Sequence, residues 1–130
     1  MSDRRSRAAP STPSEAAADL DRVLPLSPVA FHMLVALAEG PRHGYAIARE
    51  VEALTEGRLS MGPGTLYGSL QRMLEAGLIR EAATPDDARG GHSGRRRYYA
   101  LTPLGREALA AESARLLQAA RLAQVRLGGA

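Results

Sequence analysis

The stretch SMGPGTLYGSLQRMLEAGLIR, residues 60–80, decides the fold. Ser60 precedes Gly62-Pro63-Gly64, a rigid turn that delivers a proline into the first turn of a helix. Leu66, Leu70, Met73 and Leu74 then recur at i, i+4, i+7 and i+8, one apolar stripe on a helix. Gly77 stops that helix, and Leu78-Ile79-Arg80-Glu81-Ala82 reads as a short strand. A helix over 63–76 followed directly by a strand over 78–82 is therefore predicted.

Upstream, Ser27-Pro28 places a hydroxyl cap before a proline, the signature of a helix start. Phe31, Leu34, Val35 and Ala38 keep helical spacing up to Gly40-Pro41. A second helix runs from Gly44 to Thr55, with Ile47, Val51 and Leu54 inward and Arg49, Glu50 and Glu52 outward, and Gly57 ends it. Three short helices joined by tight Gly/Pro connections have the layout of a helix-turn-helix. Downstream, Arg97-Tyr98-Tyr99-Ala100-Leu101 favours a strand, and Tyr99 should point inward with Leu101. Between the two strands, residues 84–94 hold one proline, two aspartates and three glycines. Two strands around such a loop form a wing, so the expected fold is mainly α with a small β-hairpin: a winged helix-turn-helix.

Thr102-Pro103 opens a last helix over 103–127. Along it Leu109, Ser113, Leu116, Ala120, Ala123 and Leu127 alternate by four and three, the spacing of a coiled-coil seam. Leu104 and Leu117 lie off the seam and are expected to pack back onto the domain. So long a helix on so small a core cannot bury two apolar faces alone, and a second copy of the chain is the simplest partner. The seam residues Leu109, Leu116, Ala120, Ala123 and Leu127 are thus the dimerisation candidates. At the other end, residues 1–13 lack periodicity and read as a disordered tail. A short helix follows over 14–24, capped by Ser14, with Ala17, Ala18, Leu20, Val23 and Leu24 on a weak apolar side and Pro25 ending it. The organisation is a winged helix-turn-helix unit over 28–102 and a dimerisation helix over 103–127.

With 130 residues, 45% of them hydrophobic and 24% charged, the composition is that of an ordinary globular chain of one domain. The absence of cysteine excludes disulfide scaffolds, thiol nucleophiles and cysteine zinc sites. His32, His43 and His92 lack the pairing of a metal site, no catalytic constellation stands out, and no phosphate-binding Gly-rich loop ends in lysine. No apolar run approaches membrane-spanning length, and residues 1–22 lack the apolar core of a secretory signal. A cytoplasmic, non-enzymatic protein without cofactor or metal is expected.

All 17 basic residues are arginine, and the net charge is +3 with a sequence pI of about 9.9. Lysine-free composition fits GC-rich codon usage; arginine nonetheless supplies a planar fork suited to phosphates and guanine edges. Arg89–Arg97 holds four arginines and no acid, a concentrated basic spot on a nearly neutral chain. In a winged helix-turn-helix the third helix enters the major groove with its N-terminal residues forward. Here these are Gly64, Thr65, Tyr67, Gly68, Ser69 and Arg72, none of them acidic. His92, Arg95 and Arg96 in the wing loop would follow the backbone or enter the minor groove. His43 and Tyr45 begin the helix that crosses the phosphates, where a phosphate contact and a capping role are both open. A winged helix serving as a protein-binding adaptor without DNA is the alternative, favoured by the small net charge and opposed by the arginine cluster. A MarR-like architecture needs longer helices before the wing domain than 14–24 supplies.

Together the motifs resemble the PadR family of bacterial transcriptional regulators. They are Leu34-Val35-Ala36-Leu37, Glu39-Gly40-Pro41, His43-Gly44-Tyr45, Gly64-Thr65-Leu66-Tyr67, Leu70, Leu74-Glu75, Gly77-Leu78-Ile79 and the run from Arg95 through Tyr98-Tyr99-Ala100-Leu101-Thr102-Pro103-Leu104 to Gly105. The match covers about residues 28–106, and the single C-terminal helix is similar to that of the small PadR subgroup. The resemblance implies a homodimeric repressor of inverted-repeat operators, often of ATGT/ACAT type, released in many members by phenolic or drug-like ligands. It implies a recognition helix over 63–76 led by Thr65, Tyr67 and Arg72, and a wing over 78–101 with Arg95 and Arg96 on DNA. An N-terminal helix like 14–24 sometimes aids dimerisation. Multidrug-binding members stack planar ligands on aromatic residues of the dimerisation helix. Leu116 and Leu117 replace these here, which argues against flat aromatic drugs as effectors.

Overall fold

The computed structural model describes residues 13–83 and 97–128. In chain order they form α1 (Pro13–Val23), α2 (Pro28–Leu37), β1 (Arg42–His43), α3 (Gly44–Leu54), α4 (Pro63–Glu75), β2 (Ile79–Ala82), β3 (Tyr98–Leu101) and α5 (Pro103–Arg126). The fold is mostly helical with a small antiparallel sheet. That sheet has three strands in the order β1-β3-β2 rather than the two of a bare hairpin. Arg42 and His43 pair with Tyr99 and Tyr98, so the connection into α3 is tied to the sheet edge. A run of two residues is too short to show alternation, and β1 therefore leaves no signal in the sequence.

Helix α2 is apolar on nearly every side, and it sits at the centre, touching α3, α5 and β3. Met33, Leu34 and Leu37 of α2, Ile47 and Val51 of α3, and Leu70 of α4 are almost completely buried and form the heart of the core. Each such side chain contributes about 1.5–3 kcal/mol by leaving water. Leu66, Met73, Leu78, Ile79, Tyr99, Leu101 and Ala108 close the core around them. Both serine and threonine caps form as the sequence indicates. Ser27 Oγ accepts from the Ala30 amide at 3.1 Å, and Thr102 Oγ1 accepts from Gly105 at 3.0 Å.

Three expectations need correction. Leu54 does not face inward; it is 44% exposed, because the left-handed Glu56-Gly57 pair ends α3 before its last turn reaches the core. Leu117 is 57% exposed and does not pack back on the domain, since α5 has by then run past it. Helix α1 begins at Pro13, one residue before the expected cap position. Of its apolar residues Leu20 and Val23, followed by Leu24, pack on the core, whereas Ala17 and Ala18 are exposed.

Contacts at Thr102, Gly105 and Glu112 fix α5 to the rest. The Thr102 hydroxyl donates to the Gly77 carbonyl at 2.6 Å while its N–H donates to Leu78 O at 3.1 Å. Gly105 lies so close to the same Leu78 carbonyl that a Cβ there would stand 2.0 Å from its oxygen. Two turns further, the Glu112 carboxylate is buried, accepting from Arg115 Nε at 3.1 Å and Nη2 at 2.5 Å. The Arg115 guanidinium, helped by the Leu26 backbone N–H, holds this carboxyl below the usual glutamate range. Glu112 thereby links α5 to the turn between α1 and α2.

Candidate nucleic-acid interface

The first turn of α4 is open. Its cap is Gly62, which has no side chain to satisfy the leading amides, and Pro63 brings no N–H of its own. Leu66 N donates to Gly62 O at 2.9 Å, so the helical ladder starts only there. The amides of Gly64 and Thr65 precede it, at the positive end of the helix dipole, an arrangement suited to a phosphate or other anion. A Cβ at Gly64 would meet nothing within 4 Å. No acid lies in the first turn.

Helical spacing sorts the rest of α4. Leu66, Ser69, Leu70 and Met73 form its inward side. Ser69, placed in the sequence among the forward residues, is only 6% exposed, and its Oγ accepts from Arg72 Nη2 at 3.2 Å. It stands three residues after Leu66, on the buried stripe, so it orients Arg72 rather than facing outward. Gly64, Gly68, Gln71 and Glu75 form the outer crest. Thr65 and Arg72 flank the crest on one side and Tyr67, 54% exposed, on the other. Two glycines on the crest leave the backbone open to close approach.

Beyond Tyr67 a cleft of about 610 Å³ opens between α3, α4 and the sheet, lined by His43, Tyr45, Gln71, Glu81, Arg97 and Tyr99 among others. At His43 a capping role is realised. Its Nδ1 accepts from the Ala46 amide at 3.1 Å, so it caps α3, and its ring meets the Tyr98 edge at 5.5 Å. Tyr45, 62% exposed, lies parallel to His43 with the Arg49 guanidinium 5.7 Å from its ring centroid. Gly44 lies against the cleft wall: a Cβ there would meet Tyr67 and Leu70 at 3.4 Å, within ordinary contact distance. Tyr99 forms the floor, and burial pushes its phenol above the usual range. At the rim Arg97 pairs with Glu81 at 3.3 Å, so this member of the arginine cluster is already matched by an acid.

His92, Arg95 and Arg96 lie outside the described residues. Sequence reasoning passes over Gln71, whose amide donates to Glu75 at 3.0 Å. The available signal is its spacing, seven residues after Gly64 and four after Tyr67. Among the described residues no three His, Asp or Glu side chains converge as a metal site would require. Among them, too, no single helix is long and apolar enough to cross a membrane.

Of the dimerisation candidates, Leu109 is half-buried against the core, Leu116 is 39% exposed, and Ala120, Ala123 and Leu127 are exposed. The face that buries Ala108 and Glu112 continues past the domain through Leu116, Ala120, Ala123 and Leu127. Leu117, Leu122 and Val125 widen the exposed apolar area beyond that seam.

Comparison with known proteins agrees with this architecture. Over 81 residues the chain is 43% identical to an uncharacterized 37.1 kDa protein in transposon TN4556 of Streptomyces fradiae. That alignment takes in 62% of this chain and 21% of the relative, so the chain spans about a fifth of the relative's length. A probable transcriptional regulator from Pseudomonas aeruginosa is 30% identical, with a TM-score of 0.56 over 87% of this chain and 77% of its own. A PadR family transcription regulator from Clostridium difficile shares the fold at a TM-score of 0.61 and 22% identity, over 79% of this chain and all of its own. Residues 33–111, from the middle of α2 into the third turn of α5, match the transcriptional regulator PadR-like family. The chain belongs to the PadR-like family of transcriptional regulators.

Proposed function

We propose that this regulator binds duplex DNA as a homodimer and represses transcription from inverted-repeat operators. Residues 28–102 act as the DNA-binding unit and α5 as the dimerisation helix. The observation that carries this reading is the first half of α4: uncapped, acid-free, and with glycine at two successive crest positions. A major groove admits such a helix, and its phosphates complement the free amides. Thr65, Tyr67 and Arg72 flank the crest and read or anchor the groove, with Gln71 as a further donor and acceptor on the same surface. Tyr45 reaches the backbone from α3, while His43 supports it. The wing loop carries Arg95 and Arg96 to the adjacent backbone or minor groove. A small ligand relieves repression.

The test is a fluorescence-anisotropy titration against random-sequence duplex at two salt concentrations, alongside size exclusion with light scattering. A dimer whose affinity falls steeply with salt supports the reading. Replacing Arg95 and Arg96 together by Ala then makes the salt slope of the dimer shallower by roughly four units, about one for each of the four phosphates the two subunits leave without a guanidinium. Thr65→Val and Tyr67→Phe alter the preferred sequence in a selection from random duplexes. An unaltered slope together with an unaltered preference removes the interface assignment, and a dimer without DNA affinity at low salt moves the chain to the adaptor class.

A further inference from the structure

A second cleft, of about 390 Å³, lies behind α4, between that helix and the turn from α1 to α2. Its floor is apolar, formed by Val29 of α2, Met73 of α4 and Leu78. Its polar features are the buried Ser69 hydroxyl, Ser27 and Thr65 at its edges and two guanidinium groups, Arg72 and Arg22, and no acid lines it. Arg22 pairs with Asp19 on the outer side, which leaves Arg72 as the main cation facing the cleft. Ser69 holds Arg72 across the mouth of the cleft.

From this juxtaposition we infer that the cleft is an effector site for a small amphiphilic carboxylate, its apolar body on Val29, Met73 and Leu78 and its carboxylate on Arg72 and Ser69. An apolar floor takes up the hydrocarbon, and the guanidinium forms a charge-assisted pair with the carboxylate. Arg72 also stands beside the crest of α4, so a ligand carboxylate and a DNA phosphate compete for the same guanidinium. The ligand also lies against the turn that Glu112 ties to α5 through Leu26, so it touches both the recognition helix and the anchor of the long helix. The regulatory half of this inference rests on the DNA-binding reading above; the binding half does not.

Octanoate is the probe, with octan-1-ol as its uncharged counterpart, titrated into the full chain and followed by amide NMR. Octanoate should shift Ser69, Met73, Val29 and Leu78, and octanol should do so far more weakly. Val29→Trp fills the cleft and abolishes the shifts; Ala30→Leu, a smaller filling at the same wall, serves if the tryptophan variant is not folded. Equal binding of octanol, shifts confined to the exposed leucines of α5, or undiminished shifts in the filled variants overturn the site. Given DNA binding by the free protein, saturating octanoate should weaken it by about fivefold or more, and DNA should weaken octanoate binding by the same factor. Octanoate that fills the cleft without changing DNA affinity overturns the regulatory half alone. Absence of DNA binding in the free protein would count against the DNA reading while the NMR result still decides the site.

Discussion

Helices α2 and α5 obey one rule with opposite outcomes. Both carry apolar side chains at helical spacing behind a hydroxyl cap and a proline. In α2 every turn meets another element, and Met33, Leu34 and Leu37 lose nearly all exposure to solvent. In α5 only the first turns do so, and the same stripe then runs into solvent, ending with Leu127 at 85% exposed. Periodicity announces that a face will be covered, while the geometry of the neighbours decides by what. For α2 the cover is the chain itself; for the distal half of α5 the proposed cover is a second copy.

That contrast fails if the distal half of α5 has no partner. Leu116→Glu with Ala120→Glu should convert a dimer into a monomer. Losing about 1.5–3 kcal/mol at each Leu116 in the two subunits raises the dissociation constant by about a hundredfold or more. The monomer should keep its thermal transition, because neither residue is part of the core. Light scattering together with a thermal melt checks both halves; an unfolded double variant would show that α5 packs on its own domain after all.

Gly105 and Gly68 carry the same opposition down to single atoms. At Gly105, where α5 meets the core, a Cβ would overlap the Leu78 carbonyl, and Gly105→Ala should cost about 1–3 kcal/mol or more. At Gly68, on the outer crest of α4, a Cβ meets only Arg72 Nη1 at 3.6 Å, and Gly68→Ala should stabilise by roughly 0.5–1 kcal/mol. It should nevertheless weaken DNA binding by obstructing the approach to the helix. Urea titrations of the two variants should therefore move in opposite directions; movement in the same direction would refute the assignment of one face as packed and the other as open.

Glu112 offers a pH test of where α5 is anchored. Its folded carboxyl titrates below the ordinary glutamate range, so its contribution is present above that range and is lost as pH falls through the folded value. Wild type should exceed Glu112→Gln in stability at neutral pH, and the gap should narrow as pH falls below the ordinary glutamate range, as paired denaturation curves would reveal. A gap independent of pH would mean that the carboxylate charge is not what Arg115 and Leu26 hold.

How far the sequence discloses this molecule varies with the range of the interaction. The caps at Ser27 and Thr102, the stripe of α4 and the inward Tyr99 are local patterns, and each is visible in neighbouring residues. β1 is hidden because its two residues become a strand only through Tyr98 and Tyr99, more than fifty positions away. Glu112 is not singled out by its sequence neighbours, since the turn at Leu26 that covers it is more than eighty positions away. Ser69 looks forward by composition but is turned inward by its spacing from Leu66. In the site, then, residue types are legible while their sides of the helix are settled by packing.

The mildest consequence concerns the one described arginine of the wing cluster. Arg97 and Glu81 are both more than half exposed, and a pair of this kind contributes between about 0 and 1 kcal/mol. Arg97→Ala should therefore leave stability nearly unchanged. Its influence on DNA should also be smaller than that of the double change at Arg95 and Arg96, because Glu81 already offsets its charge. The reciprocal substitution separates the two causes. Glu81→Gln keeps the shape of the rim and removes the offset, so it should tighten DNA binding at low salt and steepen the salt dependence, by at most one phosphate per subunit, the one that each released guanidinium can neutralise. Tighter binding in Glu81→Gln together with weaker binding in Arg97→Ala would place the cleft rim within reach of the phosphates. No change in either would confine the interface to the crest of α4 and to the wing loop beyond it.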